Sequence, residues 1–460
     1  MVDICHFYSS RPVAGSLASD LGRRHDAPRG RNGGWRLPVL LWLLAALGML
    51  WADVSWADRI HGLAGFHRLL VIPLLLAQFR RSEHGAWVLY GFLASAVTLL
   101  FVCWALVLAQ VQSWPNHLHA YGVLVKDDIA QSTVFLICAM VLIWHVCDKL
   151  GERKWWTALW SALLAVLFVA YMTFVVRSRA AIAVAPLLVL LLGWRQFRWK
   201  GLVTACITGT VLATGLWATS QSLREFLFVS IQQAEAYSAT KADNSIGEHI
   251  EFLRKSATFV REAPLIGHGT GSIANLFRRS AIGQSGAVGV ATVNPHSQIF
   301  GVAIQVGLAG AAVLLATWIA HYFLFHSAGW TAWVGTVVVV ENAISSLAHS
   351  HLFDFTHGWL YVFGVGVVGG MMLRQSRHSS SPEPSILAVM ATRPVNARPV
   401  DASSGFNISF SSGSLLAGDN SAGRLQSRAI TPRRIGYGLR WRAAAAGAEG
   451  LRRIGLRLAG

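Results

Sequence analysis

The run AWVLYGFLASAVTLLFVCWALVLAQ, residues 86–110, contains no Asp, Glu, Lys or Arg. About 20 apolar residues in a helix cross the ~30 Å hydrocarbon core of a bilayer, so the run reads as one membrane span. Outward from it, similar runs recur, and ten spans are expected: 38–53, 62–79, 86–110, 131–147, 157–175, 180–194, 201–219, 297–325, 330–348 and 357–373. The first and sixth are short, which fits tilting, extension or re-entry. Composition agrees. Of 460 residues 54% are apolar and 13% charged, with mean hydropathy +0.47, where soluble domains carry roughly 25% charged residues. The expected fold class is an all-α polytopic membrane protein of ten helical spans with one large loop subdomain. The first 35 residues lack the short apolar core of a signal peptide, so the first span is expected to remain as an anchor.

The basic residues orient the spans. Arg80 with Arg81, Lys149 with Arg153 and Lys154, and Arg195 with Arg198 and Lys200 occupy alternate loops. With an even number of spans these loops and both Arg-rich termini share one face, and the positive-inside rule makes that face cytoplasmic. The opposite face then carries 54–61, 111–130, 176–179, 220–296 and 349–356. The segment 220–296 is long, polar and nearly balanced, with 7 basic and 6 acidic residues. Three parts are therefore expected: a basic cytoplasmic segment 1–36, a transmembrane domain 37–374, and a disordered basic cytoplasmic tail 375–460 rich in Ser, Gly, Ala, Pro and Arg. The net charge of +17 is concentrated in the termini, +9 over residues 374–460 and +3 over 1–36. Basic residues flanking an apolar body point to topology and anionic membrane lipids, not to nucleic acid. The last stretch of the tail has the composition of a basic amphipathic helix at a membrane surface. The five cysteines, Cys5, Cys103, Cys138, Cys147 and Cys206, have no metal-ligand spacing and read as small apolar fillers.

Within the large loop, Ile246, Ile250, Leu253, Ala257 and Val260 recur at three- and four-residue spacing, one face of an amphipathic helix. It is expected to end before Pro264, with a second short helix starting after Ser272, a good N-cap. Between them lies Pro264-Leu265-Ile266-Gly267-His268-Gly269-Thr270-Gly271-Ser272. Gly267, His268, Gly269 and Gly271 form either a tight turn or a phosphate cradle at a helix N-terminus. The run is not a P-loop, since no Gly-Lys-Ser/Thr follows. Arg177 and Arg179 sit at the outer end of a span. Their guanidinium groups either snorkel to headgroups or clamp an anion through paired hydrogen bonds. His296, in Asn294-Pro295-His296, is either an interfacial polar residue or a general base for a hydroxyl. Lys126-Asp127-Asp128 with Gln131 reads as a solvated charge cluster or a divalent-cation site. Glu341 lies inside an apolar run, where a carboxylate is a functional candidate. His349, His351 and Asp354 stand at another outer span end and could line the same site.

These motifs, in this order and on one face, resemble the O-antigen ligase and O-antigen polymerase family of bacterial membrane glycosyltransferases. The resemblance covers residues 125–370. It rests on Val125 to Ser132, Ser178-Arg179, Pro264 to Ser272, His296 followed after ten residues by Gly307 and then Gly310, and Ser350 to Phe355. It implies a GT-C-like helical architecture in the bacterial inner membrane, with the active site facing the periplasm. The donor would be an undecaprenyl-diphosphate-linked glycan. The acceptor would be lipid A–core for a ligase, a growing glycan for a polymerase, or a protein hydroxyl. No metal or other cofactor is implied. By this resemblance His296 is the base that activates the acceptor, and Arg179, with Arg177, holds the diphosphate. The sequence departs from the family at Ser297, where Asn is common, and at Gly247-Glu248-His249, where an arginine is usual. His249, Arg254 or Arg261 is the expected substitute. Members commonly have more than ten spans. Two other classes compete: a transporter or flippase, which places charges near the midplane, and a non-catalytic relative marked by His249.

Overall fold

The computed structural model describes residues 33–110, 122–176 and 178–380. The expected N-terminal segment up to residue 32, Arg177, and the expected tail from 381 onward lie outside the described residues.

Among the described residues all regular structure is helical. Helix α1 (Gly33–Gly48) is followed by α2 (Trp56–His67), a 3₁₀ turn (Arg68–Leu70) and α3 (Val71–Arg81). The 3₁₀ turn precedes Pro73, whose missing N–H leaves the carbonyl one turn back unbonded. Then come α4 (Gly85–Leu108), α5 (Asp128–Gly151), α6 (Trp155–Phe174) and α7 (Arg179–Thr219). The loop subdomain holds α8 (Gln221–Thr240), α9 (Ser245–Glu262) and α10 (Ile273–Ala281). Helices α11 (Gln298–Leu324), α12 (Trp330–Ser345) and α13 (Phe355–Ser380) complete the bundle. Helix α13 passes through position 375, where the tail was expected to begin.

Among the described residues seven helices are long and apolar enough to cross a membrane, counting α2 through α3 as one. Two departures from the expected ten spans have physical causes. Helix α7 reverses at Arg198 (φ 56°, ψ −138°). Its two halves pack so closely that a Cβ on Gly201 would lie 2.0 Å from the Gly193 carbonyl oxygen, so the expected sixth and seventh spans form a hairpin. Helices α1 and α12 have 16 residues each, about 24 Å at 1.5 Å per residue, shorter than a hydrocarbon core.

Helices α5, α11, α12 and α13 are the most enclosed, while α4 and α6 turn most of their apolar side chains outward. Gly366 and Gly370 let α13 approach Leu75 and Phe79 of α3 closely, the small-residue packing common between membrane helices. His321 of α11 ties three elements. Its Nε2 lies 2.8 Å from the Gly34 carbonyl and must donate, so Nδ1 accepts from the Tyr361 hydroxyl at 2.6 Å. Trp333 donates to the Met140 carbonyl at 2.9 Å.

The two ends of the bundle are distinct. At one end, Arg195 donates to Thr336 Oγ1 at 2.8 Å and reaches the Phe325 carbonyl, and Arg374 pairs with Glu83. At the other, the segments around residues 49–58, 122–128, 178–179, 244–296 and 346–354 converge. Thr270 bonds the carbonyls of Ala45 and Gly48, Arg279 pairs with Asp53 at 3.1 Å, and Lys126 pairs with Asp354. The basic loops and the candidate site residues therefore lie at opposite ends.

Candidate active site

Helix α9 carries the first part of the site. Asn244 caps it, its Oδ1 accepting from Gly247 N at 2.9 Å. The buried face is not the expected aliphatic stripe. Phe252 and Phe259 are buried with Glu251, Lys255 and Ser256, while Ile250 and Leu253 are exposed. The two phenylalanines, one on top of the other two turns apart, pack on Phe277 of α10. The polar members of that face are all bonded. Glu251 accepts from Tyr237 at 2.7 Å and pairs with Arg254, and Lys255 donates to the Val288 carbonyl at 2.6 Å. Burying these groups is tolerable because each has its partner.

The glycine run shapes the site from behind. Helix α11 breaks at Val306 and Gly307 (φ 72°, ψ −175°), and the Pro264–Ser272 loop enters the break. His268 N donates to the Ile304 carbonyl at 2.8 Å, Gly269 N to Gln305 O at 2.9 Å, and Leu308 N to the Pro264 carbonyl at 2.8 Å. Gly271 N donates to Gln305 Oε1 at 2.8 Å. The loop thus satisfies the backbone groups that a broken helix leaves unpaired, which a membrane interior requires. This corrects the phosphate-cradle expectation for Gly267, Gly269 and Gly271: the loop's amides are spent on the protein. His268 is also committed, with Nε2 2.8 Å from the Phe259 carbonyl. The expected helix after Ser272 forms as α10, but Ser272 makes no side-chain cap.

The break leaves a first segment of α11, Gln298 to Gln305, of about two turns, with His296 just before it. His296 has φ +54°, a conformation that costs a non-glycine residue roughly 1–2 kcal/mol. The local sequence imposes it. Asn294 Oδ1 accepts from His296 N at 2.9 Å, Pro295 fixes the intervening φ, and Asn294 N donates to Thr292 Oγ1 at 3.0 Å. The imidazole stacks on Phe252, with centroids 5.4 Å apart and planes at 10°. His249 approaches it at 4.2 Å and His349 at 6.0 Å. His349 leads on to His351 at 5.4 Å, and His351 stacks on His357 at 3.9 Å. His357 contacts Asp354 at 3.1 Å, and Asp354 also pairs with Lys126.

Burial, then the neighbouring His249 and His349, push the His296 imidazole down to about 4. Burial, then His249, His357 and an opposing pull from Asp127, bring His349 to about 4. Burial and the Arg179 charge lower His249. These imidazoles are therefore neutral near pH 7. The Nδ1 of His296 is buried and has no hydrogen-bond partner, while the residue as a whole is only partly buried, so the ring's other nitrogen is the one that can take a proton from a bound molecule. Asp354 behaves oppositely. Burial raises it, but hydrogen bonds from His357 and Lys126 more than offset this and hold it below the usual carboxylate range.

Several expected residues thus converge and others do not. His296, His249, His349 and His351 form one cluster, and Arg179 at the start of α7 is close enough to depress His249. Arg177 lies outside the described residues. Arg254 is held by Glu251, with Nε to Oε1 at 2.9 Å, and Arg261 is in the last turn of α9, about 18 Å along the helix from His249 at 1.5 Å per residue. Neither substitutes for the missing arginine. Lys126 and Asp127 serve structure: Asp127 caps α5, and Gln131 Oε1 accepts from Leu124 N at 2.9 Å. Among the described residues no three His, Cys, Asp or Glu side chains are arranged to hold a metal ion. Glu341 is closed off by Thr133 at 3.0 Å and Ser345 at 3.1 Å. Phe252, His357 and Arg68 were not foreseen. The i, i+3 spacing of Asp354 and His357 was a legible signal for the second.

Residues 164–315 match the model of the family described as O-antigen ligase. No curated protein matches the chain. The matched span runs from α6 into α11 and contains Ser178-Arg179, the Pro264–Ser272 run, His296, Gly307 and Gly310, part of the motif set on which the resemblance rests, and also His249, where the chain departs from it. Over residues 164–315, about a third of its length, the chain is similar to the O-antigen ligase family.

Proposed function

We propose that this chain is an O-antigen ligase-type glycosyltransferase that moves a glycan from undecaprenyl diphosphate to a hydroxyl of lipid A–core. The observation that carries this reading is the contact of a partly buried His296 with His249 at 4.2 Å, beside the Arg179 charge that depresses His249. A sugar hydroxyl is a poor nucleophile until a base takes its proton. In the proposed step the acceptor proton passes to the accessible ring nitrogen of His296 and the oxygen attacks the anomeric carbon. The bond from that carbon to the diphosphate breaks, and the diphosphate leaves with the electron pair. Arg179 stabilises the developing charge, worth most in a partly dehydrated site. A single displacement of this kind inverts the anomeric centre.

His249 occupies the place of a usual family arginine and stays neutral, so it offers a hydrogen bond without charge. Counting α7 as two crossings and α1 and α12 as tilted or locally thinning the bilayer gives ten, and with that count the positive-inside rule favours a periplasmic site. The polymerase and protein-glycosylation readings share this chemistry and differ in acceptor. Deleting the gene and resolving lipopolysaccharide on a gel, with carrier-linked glycan quantified, separates them. A ligase leaves bare lipid A–core and full-length glycan on the carrier. Core bearing one repeat unit indicates a polymerase. Unchanged lipopolysaccharide removes both readings.

A further inference from the structure

A cavity of about 420 Å³ adjoins the histidine cluster. One wall is a face of α2 at helical spacing, Asp58, His61, Gly62 and Gly65, continued by Arg68 of the 3₁₀ turn. Facing it are Asn294, Ser350, Phe353 and Asp354. The volume lies within the roughly 300–1,000 Å³ of small-ligand pockets. Its chemistry is distinctive. Asp58 offsets Arg68, and the Asp354 carboxylate is already held by Lys126 and His357, so the lining has no surplus positive charge for a phosphate. Carboxylates, an amide, a serine hydroxyl and an imidazole instead match a molecule whose groups both donate and accept, and Phe353 supplies an apolar surface. The hydroxyl of Ser350 is buried without a partner, which costs roughly 1–3 kcal/mol unless something bonds to it. The cavity also touches the catalytic cluster through the chain. Asn294 bonds the His296 backbone at 2.9 Å, and Ser350 sits between His349 and His351.

We propose that this cavity seats a pyranose ring, the sugar that carries the acceptor hydroxyl. The assignment to the acceptor rests on the transfer reading above, whereas pyranose binding does not. The test uses the full chain in lipid nanodiscs and saturation-transfer NMR with the methyl pyranosides of glucose, galactose, mannose and N-acetylglucosamine, with glycerol as control. At least one pyranoside is expected to show ring-proton saturation above glycerol. Ala64→Trp, which fills the cavity from an exposed position of α2, should abolish it. Ser350→Ala removes a hydroxyl that has no protein partner, so it should fold as well and weaken binding roughly two- to tenfold. His296→Asn should keep the signal, since it alters the reacting group and not the cavity. Saturation no stronger than glycerol for all four sugars, or an undiminished signal in Ala64→Trp, overturns the proposal. In a transfer assay, Ser350→Ala should raise KM for the acceptor and leave that for the donor unchanged. A rise for the donor instead overturns the acceptor assignment. Pyranoside binding without any glycan transfer leaves the cavity reading standing and removes the transfer reading.

Discussion

Replacing His296 with asparagine is expected to lower glycan transfer by about 10²–10⁴-fold, the usual contribution of a general base, with folding preserved. Asparagine is the informative substitute. It tolerates the left-handed backbone at this position better than alanine does, so loss of transfer reports on the imidazole and not on strain at φ +54°. The same experiment has a pH counterpart in the wild type. An ordinary histidine at 6.5 would lose about 30-fold of its neutral form between pH 7.5 and 5. With His296 held down to about 4, the base remains neutral over that range, and its contribution to the rate should change by less than about twofold. The sign follows from burial: the charged form is the disfavoured one, so base activity is complete above the depressed value and lost only below it. Initial transfer rates in reconstituted membranes check both expectations. Near-normal transfer by well-expressed His296→Asn would remove the base role.

The largest structural effect is expected at Gly307. A Cβ there would lie 2.0 Å from the Leu265 carbonyl oxygen and 2.6 Å from Ile266 N, both backbone atoms. No rotamer relieves such a clash. Gly307→Val must expel the Pro264–Ser272 loop from the break in α11. The hydrogen bonds of His268, Gly269 and Leu308 across the break go with it, leaving groups that each cost roughly 1–3 kcal/mol when buried unpaired. A total above 4 kcal/mol is expected, in the range where single substitutions unfold proteins. Gly310 provides the contrast. A Cβ there meets side-chain atoms of Val306 and Val302, which can shift, so Gly310→Ala should be milder. Thermal unfolding monitored by size-exclusion chromatography in detergent compares the two. Equal melting temperatures for Gly307→Val and wild type would show that the loop does not plug the break as described.

Much of this architecture is legible in the sequence because its causes are local. Runs such as 86–110 declare spans through length and absence of charge. Asn294-Pro295-His296 announces a turn, and the paired glycines after His296 mark an interruption. The site is less legible where its causes are tertiary. The stripe Ile246, Ile250 and Leu253 predicts the wrong buried face of α9, because Phe252 and Phe259 find Phe277, and because Glu251 and Lys255 find partners no periodicity reveals. The glycines at 267, 269 and 271 look like an anion cradle, since Gly-rich turns before helices often are. Only the fold shows that their amides face a broken helix. The Glu251–Arg254 pair, by contrast, is local, an i,i+3 contact on one helix that engages Arg254. The His249–His296 contact joins residues 47 positions apart, and nothing in their spacing announces it.

The most direct measurement of the central claim is release of undecaprenyl diphosphate by the purified full-length chain in nanodiscs, given a lipid-linked glycan donor and lipid A–core acceptor. Wild type should release the carrier in step with glycan appearing on the acceptor, and both Arg179→Ala and His296→Asn should release neither at a comparable rate. Wild-type protein that binds the donor yet leaves carrier and glycan joined would contradict the account.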